Sequence, residues 1–136
     1  MPPQKPQLSV VERRRKPRYH VDLPCEVVCE DGSLTRGRIS DISLSGLQIK
    51  GDTVFIHVLY PNDQRPDWRT PLQIEVRFSL PGPKQIMTDV SLRCQLVYCK
   101  RGDTDLYKVG CQYLQIGQDA QQAMENFIGL YGVLKN

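Results

Sequence analysis

The sequence lacks the features that mark several large classes of protein. No apolar run approaches the ~20 residues of a membrane-spanning helix. The opening Met1-Pro2-Pro3-Gln4-Lys5-Pro6 contains no apolar stretch that reads as a signal peptide. No membrane insertion and a cytoplasmic location are therefore expected. Histidine is scarce: His20 and His57 lie far apart with no partner motif, and neither is expected to act as a catalyst or metal ligand. The five cysteines, at 25, 29, 94, 99 and 111, form no Cys-x-x-Cys pair. Zinc sites usually show closer pairs, so buried free thiols in a reducing compartment are the expected state. Aromatic residues make up only 7%, too few for a wide base-stacking platform. No Ser-His-Asp spacing, phosphate-cradling glycine loop or metal cluster is present. A binding protein without catalytic residues, metal or cofactor is expected rather than an enzyme.

What is present is one domain's worth of chain. At 136 residues the sequence is long enough for a single real core. Its net charge of +3 is unevenly spread. Residues 1–20 carry six Lys/Arg and one Glu, a local charge of +5, whereas the rest is slightly acidic at −2. A basic arm on an acidic body suits an anionic partner: nucleic acid, an acidic membrane or a phosphorylated ligand.

Residues 1–19 hold four prolines and no apolar periodicity, and read as a flexible arm. From Val21 the pattern changes to alternation: Val21, Leu23, Cys25, Val27 and Cys29 share one face of a strand. A second, more polar strand is expected over residues 34–43, broken by Gly37, and a third over 46–50. Residues 53–60 are β-branched and aromatic on both faces and predict a strand covered on both sides. Residues 61–71 form a polar loop around Trp68, which is expected to pack against its own loop or the barrel rim, with a partner anchor as the alternative. Alternation returns over 72–80, 90–98 and 107–113. The period then changes. Ala120, Ala123, Met124, Phe127, Ile128 and Tyr131 form one stripe of an amphipathic helix, with Gly132 as its stop. The expected fold is mainly β: a six- to seven-stranded antiparallel barrel over residues 20–116, a basic arm over 1–19, and a C-terminal helix over 117–136 packed on the barrel.

Two short segments carry chemistry. The arm reads Glu12-Arg13-Arg14-Arg15-Lys16-Pro17-Arg18-Tyr19. A guanidinium presents a planar fork of donors that fits the N7/O6 edge of guanine or two phosphate oxygens. The second segment is Asp41-Ile42-Ser43-Leu44-Ser45-Gly46, between two strands. A carboxylate accepts from guanine N1 and N2, a serine hydroxyl contacts base or phosphate, and Gly46 permits a turn with positive φ or a close approach. Each alone is compatible with an ordinary surface: a solvated basic tail and a polar hairpin turn.

Taken together, Arg-x-x-x-Arg at Arg14–Arg18 and Asp-x-Ser-x-x-Gly at Asp41–Gly46, inside a small β-barrel, resemble the PilZ domain family. Tyr107-Lys108-Val109-Gly110-Cys111-Gln112-Tyr113 resembles that family's closing strand. The resemblance implies a bacterial receptor for the second messenger cyclic di-GMP, a dianionic dinucleotide with two guanines. It implies that Arg14 and Arg18 engage guanine edges and phosphates, that Asp41 and Ser43 hold one guanine from its other side, and that Gly46 shapes the turn. Arg13, just before the first motif, goes in this family with an intercalated ligand dimer, and Arg15 is a candidate to assist. Output is then expected through a conformational change read by a protein partner the sequence does not identify, with no DNA or RNA bound. Two other readings stay open here: a nucleic-acid-binding barrel whose arm neutralises phosphates, and a ligand-independent PilZ adaptor.

Overall fold

The computed structural model describes residues 17–135, Asp103 excepted. Arg13, Arg14 and Arg15 therefore lie outside the described residues. Among the described residues there are seven strands: β1 (Tyr19–Cys29), β2 (Leu34–Ile42), β3 (Gly46–Gly51), β4 (Gln73–Pro81), β5 (Met87–Arg101), β6 (Tyr107–Gln115) and β7 (Val133–Leu134). Two α-helices accompany them among the described residues, α1 (Thr53–Leu59) and α2 (Gln118–Tyr131). The strand order is β2-β3-β6-β5-β4-β1-β7, and a further β1–β2 pairing closes the first six into an antiparallel barrel. Closure removes the free edges that an open sheet would expose.

The alternation that predicts the strands is the alternation that fills the barrel. Val27 of β1, Ile39 of β2, Ile49 of β3, Val76 of β4, Leu92 of β5 and Val109 of β6 are all buried. Cys25, Cys29, Cys94 and Cys111 belong to the same core as free thiols, and Cys99 is half-buried. Burial pushes the Cys25 thiol up to about 11 and the Cys94 thiol up to about 12, because a thiolate cannot be solvated among apolar side chains. These cysteines act as small apolar residues.

Helix α2 lies against β4 and β5. It buries Met124 and Phe127, with Ala120, Ala123 and Ile128 partly covered beside them. The helix ends where expected, at Gly132, whose N–H closes the last turn on the Ile128 carbonyl.

Two local expectations are corrected. Residues 53–60 are not a strand: Thr53–Leu59 is a helix. Asp52 caps it, its carboxylate accepting from the Phe55 N–H at 3.0 Å. Phe55, Ile56 and Leu59 turn inward on one face, while Val54 is exposed. β-branched composition favoured a strand, and tertiary burial of a helical face overrode that weak preference. Nor does Gly37 break β2, which runs through it. A Cβ at Gly37 would stand 2.7 Å from Ile49 Cγ2 and 3.3 Å from Phe55 Cε1, so the glycine makes room for α1 to lie on the barrel.

Candidate functional site

The second motif is a tight hairpin between β2 and β3. The Ser43 N–H donates to the Gly46 carbonyl at 2.9 Å, leaving Leu44 and Ser45 as the two-residue loop. The buried Ser43 hydroxyl accepts from the N–H groups of Ser45 and Gly46 at 3.1 and 3.2 Å. This is the local bonding that suits serine to turns. Ser43 thus holds the turn in shape from inside it. Gly46 is needed for closeness, not for a positive φ. A Cβ there would press into the Cys111 carbonyl oxygen on β6.

A residue outside both motifs secures this hairpin. The Tyr113 hydroxyl, on β6, donates to the carbonyls of Ser43 at 3.0 Å and Gly46 at 3.1 Å. Burial raises its pKa well above the phenol range, so it remains a donor. In the sequence Tyr113 is only the last residue of the segment that resembles a closing strand; nothing there points to a partner 70 residues away. On the same strand, Gly110 leaves the space that the Tyr98 ring fills, and the Tyr98 hydroxyl accepts from Gln48 Nε2 at 2.6 Å.

Asp41 is placed by an irregularity in β2. The β2–β3 register shifts between Ile39 and Asp41, and the alternation of burial fails there: Asp41, Ile42 and Ser43 are all buried in succession. Such a bulge re-aims side chains. The Asp41 side chain is only 2% exposed, and two cations pair with it. Arg18 Nη1 lies 2.7 Å from Oδ1, and Lys135 Nζ lies 3.1 Å from Oδ2. A buried carboxylate without such partners would be strongly destabilising. The structure therefore brings together one residue from each motif, Arg18 and Asp41, across 23 positions of sequence. It adds Lys135, which sequence reasoning missed.

Lys135 reaches the site because the chain turns at Gly132 and lays β7 along β1, with Leu134 opposite Tyr19 and Val133 opposite His20. The Lys135 N–H then donates to the Arg18 carbonyl at 2.8 Å. Trp68, by contrast, stands outside this constellation and is 46% exposed. Among the described residues no group of His, Cys, Asp and Glu is placed to hold a metal ion, and no helix is long and apolar enough to cross a membrane.

The chain resembles several solved structures. The Bacillus subtilis inhibitor of motility MotI/DgrA superposes with a TM-score of 0.63 at 16% identity, over 90% of this chain and 52% of that one. The PilZ domain of Escherichia coli YcgR, solved with c-di-GMP, gives 0.60 at 16% identity, over 87% of this chain and 91% of that one. The K. pneumoniae MrkH–c-di-GMP complex gives 0.55 at 18% identity, over 83% and 49%. The chain thus spans about half the length of MotI/DgrA and MrkH and nearly all of the isolated YcgR domain. No curated relative matches by sequence. The family model of the PilZ domain matches residues 12–130, from the basic arm through the barrel and most of α2. With that match, a closed six-stranded barrel and the two motifs meeting at Arg18 and Asp41, this chain belongs to the PilZ domain family.

Proposed function

We propose that this protein is a cyclic di-GMP receptor whose recognition centre is the Arg18–Asp41 pair. The supporting observation is the pair itself: a forked donor and a buried carboxylate, one from each motif, 2.7 Å apart at the root of the arm. Guanine offers acceptors at N7 and O6 and donors at N1 and N2. A guanidinium and a carboxylate side by side complement the two edges. The similarity to PilZ structures solved with c-di-GMP supports the same ligand.

In this reading Arg14 and Arg18 take guanine edges and phosphates, and Asp41 accepts from guanine N1 and N2. Ser43 and Gly46 keep the turn that presents Asp41. Arg13 adds a cation for a second, stacked ligand molecule, with Arg15 assisting. Two stacked molecules carry four phosphate charges, so a further guanidinium is well matched. The protein acts by binding, not catalysis, and its output is a changed surface offered to a protein partner.

Calorimetric titration with cyclic di-GMP tests this, with GMP and single-stranded RNA as controls. Arg18→Ala should lower affinity roughly ten- to a hundredfold, the value of a charge-assisted contact of about 1.5–3 kcal/mol. Circular dichroism should show the barrel intact. Binding by Arg18→Ala at the affinity of the unmodified protein would refute the assignment. Binding of RNA without the dinucleotide would favour the nucleic-acid reading, and binding of none of the three the adaptor reading.

A further inference from the structure

We infer that Lys135 is an internal lock on the recognition carboxylate: it occupies Asp41 in the free protein, and the dinucleotide must displace it, releasing the C-terminal strand. The inference rests on the receptor reading above.

The geometry of cover carries it. The Asp41 side chain is 2% exposed, whereas the two cations over it are 40% (Arg18) and 39% (Lys135) exposed. A ligand that pairs with both Asp41 oxygens therefore competes with these two cations. Arg18 belongs to the first motif and can turn its fork to the ligand. Lys135 belongs to neither motif and supplies donors only. Guanine N1–H and N2–H form a paired donor edge that takes both oxygens of one carboxylate. Arg18 Nη1 on Oδ1 and Lys135 Nζ on Oδ2 already occupy one acceptor site on each of those oxygens, in competition with that edge.

The same contacts tie the lock to a movable element. β7 is two residues long, and Val133 and Leu134 are both exposed. Among the described residues its hold on the barrel comes from the short pairing with Tyr19 and His20, the Lys135 N–H on the Arg18 carbonyl, and the ion pair to Asp41. Little apolar area opposes its release. Arg18 takes part twice, by its carbonyl to Lys135 and its guanidinium to Asp41. A ligand that draws Arg18 away weakens both contacts at once. Release of β7 uncovers the β1 edge at Tyr19–His20, an unpaired strand edge of the kind that a partner's extended segment can join.

The test uses the full chain with Lys135→Gln and Lys135→Arg. Cyclic di-GMP affinity is read by calorimetry, and backbone hydrogen exchange at Lys135 is read with and without ligand. Lys135→Gln should bind about fivefold more tightly, the fold-change for removing a competing ion pair worth about 1 kcal/mol. Lys135→Arg, which keeps the lock, should bind as the unmodified protein does. Saturating ligand should abolish protection of the Lys135 amide. Equal or weaker binding by Lys135→Gln, or a Lys135 amide still protected at saturation, would overturn the lock and leave the receptor reading standing. Failure of both the unmodified protein and Lys135→Gln to bind would overturn the receptor reading and the lock with it.

Discussion

Gly46→Ala should damage this protein far more than the size of a methyl group suggests, and Gly129→Ala should improve it. At Gly46 the new Cβ would press into the Cys111 carbonyl oxygen and stand 3.3 Å from its carbon and 3.4 Å from Gln112 Cα. All three are backbone atoms of β6, which cannot swing aside as a side chain can. The two carbon contacts need only a few tenths of an ångström of relief, but the oxygen contact lies far inside van der Waals range, so β3 and β6 must part by about 1 Å at this point. Three bonds span that gap: the Tyr113 N–H to the Ser45 carbonyl at 3.0 Å, and the Tyr113 hydroxyl to the Ser43 and Gly46 carbonyls at 3.0 and 3.1 Å. Stretched to about 4 Å they are no longer hydrogen bonds. At about 1 kcal/mol each, with about 1–3 kcal/mol of overpacking strain, part of it relieved by that same parting, the net cost is about 3–5 kcal/mol. For a domain of this length that is on the order of 10–20 °C in melting temperature. Gly129, in α2, has open space where its Cβ would go, and alanine there should add about 0.5–1 kcal/mol of helix stability. Thermal melting followed by circular dichroism measures both. A Gly46→Ala protein that melts with the unmodified one would show that the close approach of β3 to β6 does not fix the glycine of the motif.

The remaining predictions address the ligand, the hairpin and the core. Arg13→Leu should lower the calorimetric stoichiometry of cyclic di-GMP from two per chain towards one; a ratio of one in the unmodified protein would refute the stacked pair. Tyr113→Phe removes the donor shared by the Ser43 and Gly46 carbonyls. It should cost about 1–3 kcal/mol in urea unfolding and weaken ligand binding while leaving the Arg18–Asp41 pair in place; unchanged stability would rule out the hydroxyl as the hairpin's anchor. Stability should also fall in alkali. Unfolded thiols ionise near 9.0, whereas folded Cys25 and Cys94 hold their protons to about 11 and about 12, and burial also pushes Cys111 well up. The unfolded state therefore binds fewer protons between those values, and stability, whole below pH 9, declines above it by up to about 1.4 kcal/mol per pH unit for each thiol. Equal urea midpoints at pH 8 and pH 10 would contradict this.

The barrel strands and α2 were legible in the chain because both are governed by local periodicity. Alternation such as Leu72-Ile74-Val76-Phe78-Leu80 can bury only one face of a strand, and the 120–131 stripe only one face of a helix. The family motifs were legible too, since the residue types and their spacing lie within short segments. α1 was not, because Thr53–Leu59 has the composition of a strand. What makes it a helix is the Asp52 cap and the space over Gly37 and Gly51 into which Phe55 fits. The state of the site was likewise decided by tertiary structure. Sequence named Arg18, Asp41, Ser43 and Gly46, but their chemistry depends on neighbours remote in the chain. A bulge in β2 buries Asp41, Tyr113 holds the Ser43 turn from β6, and Cys111 excludes any side chain at position 46. Lys135, 94 residues from Asp41, meets it only because β7 folds back on β1. A two-residue strand has no period to read, and a lysine near a chain end looks like any solvated charge. Only the return of β7 along β1 places that charge on a buried carboxylate, where the cost of leaving the acid unpaired gives it a partner.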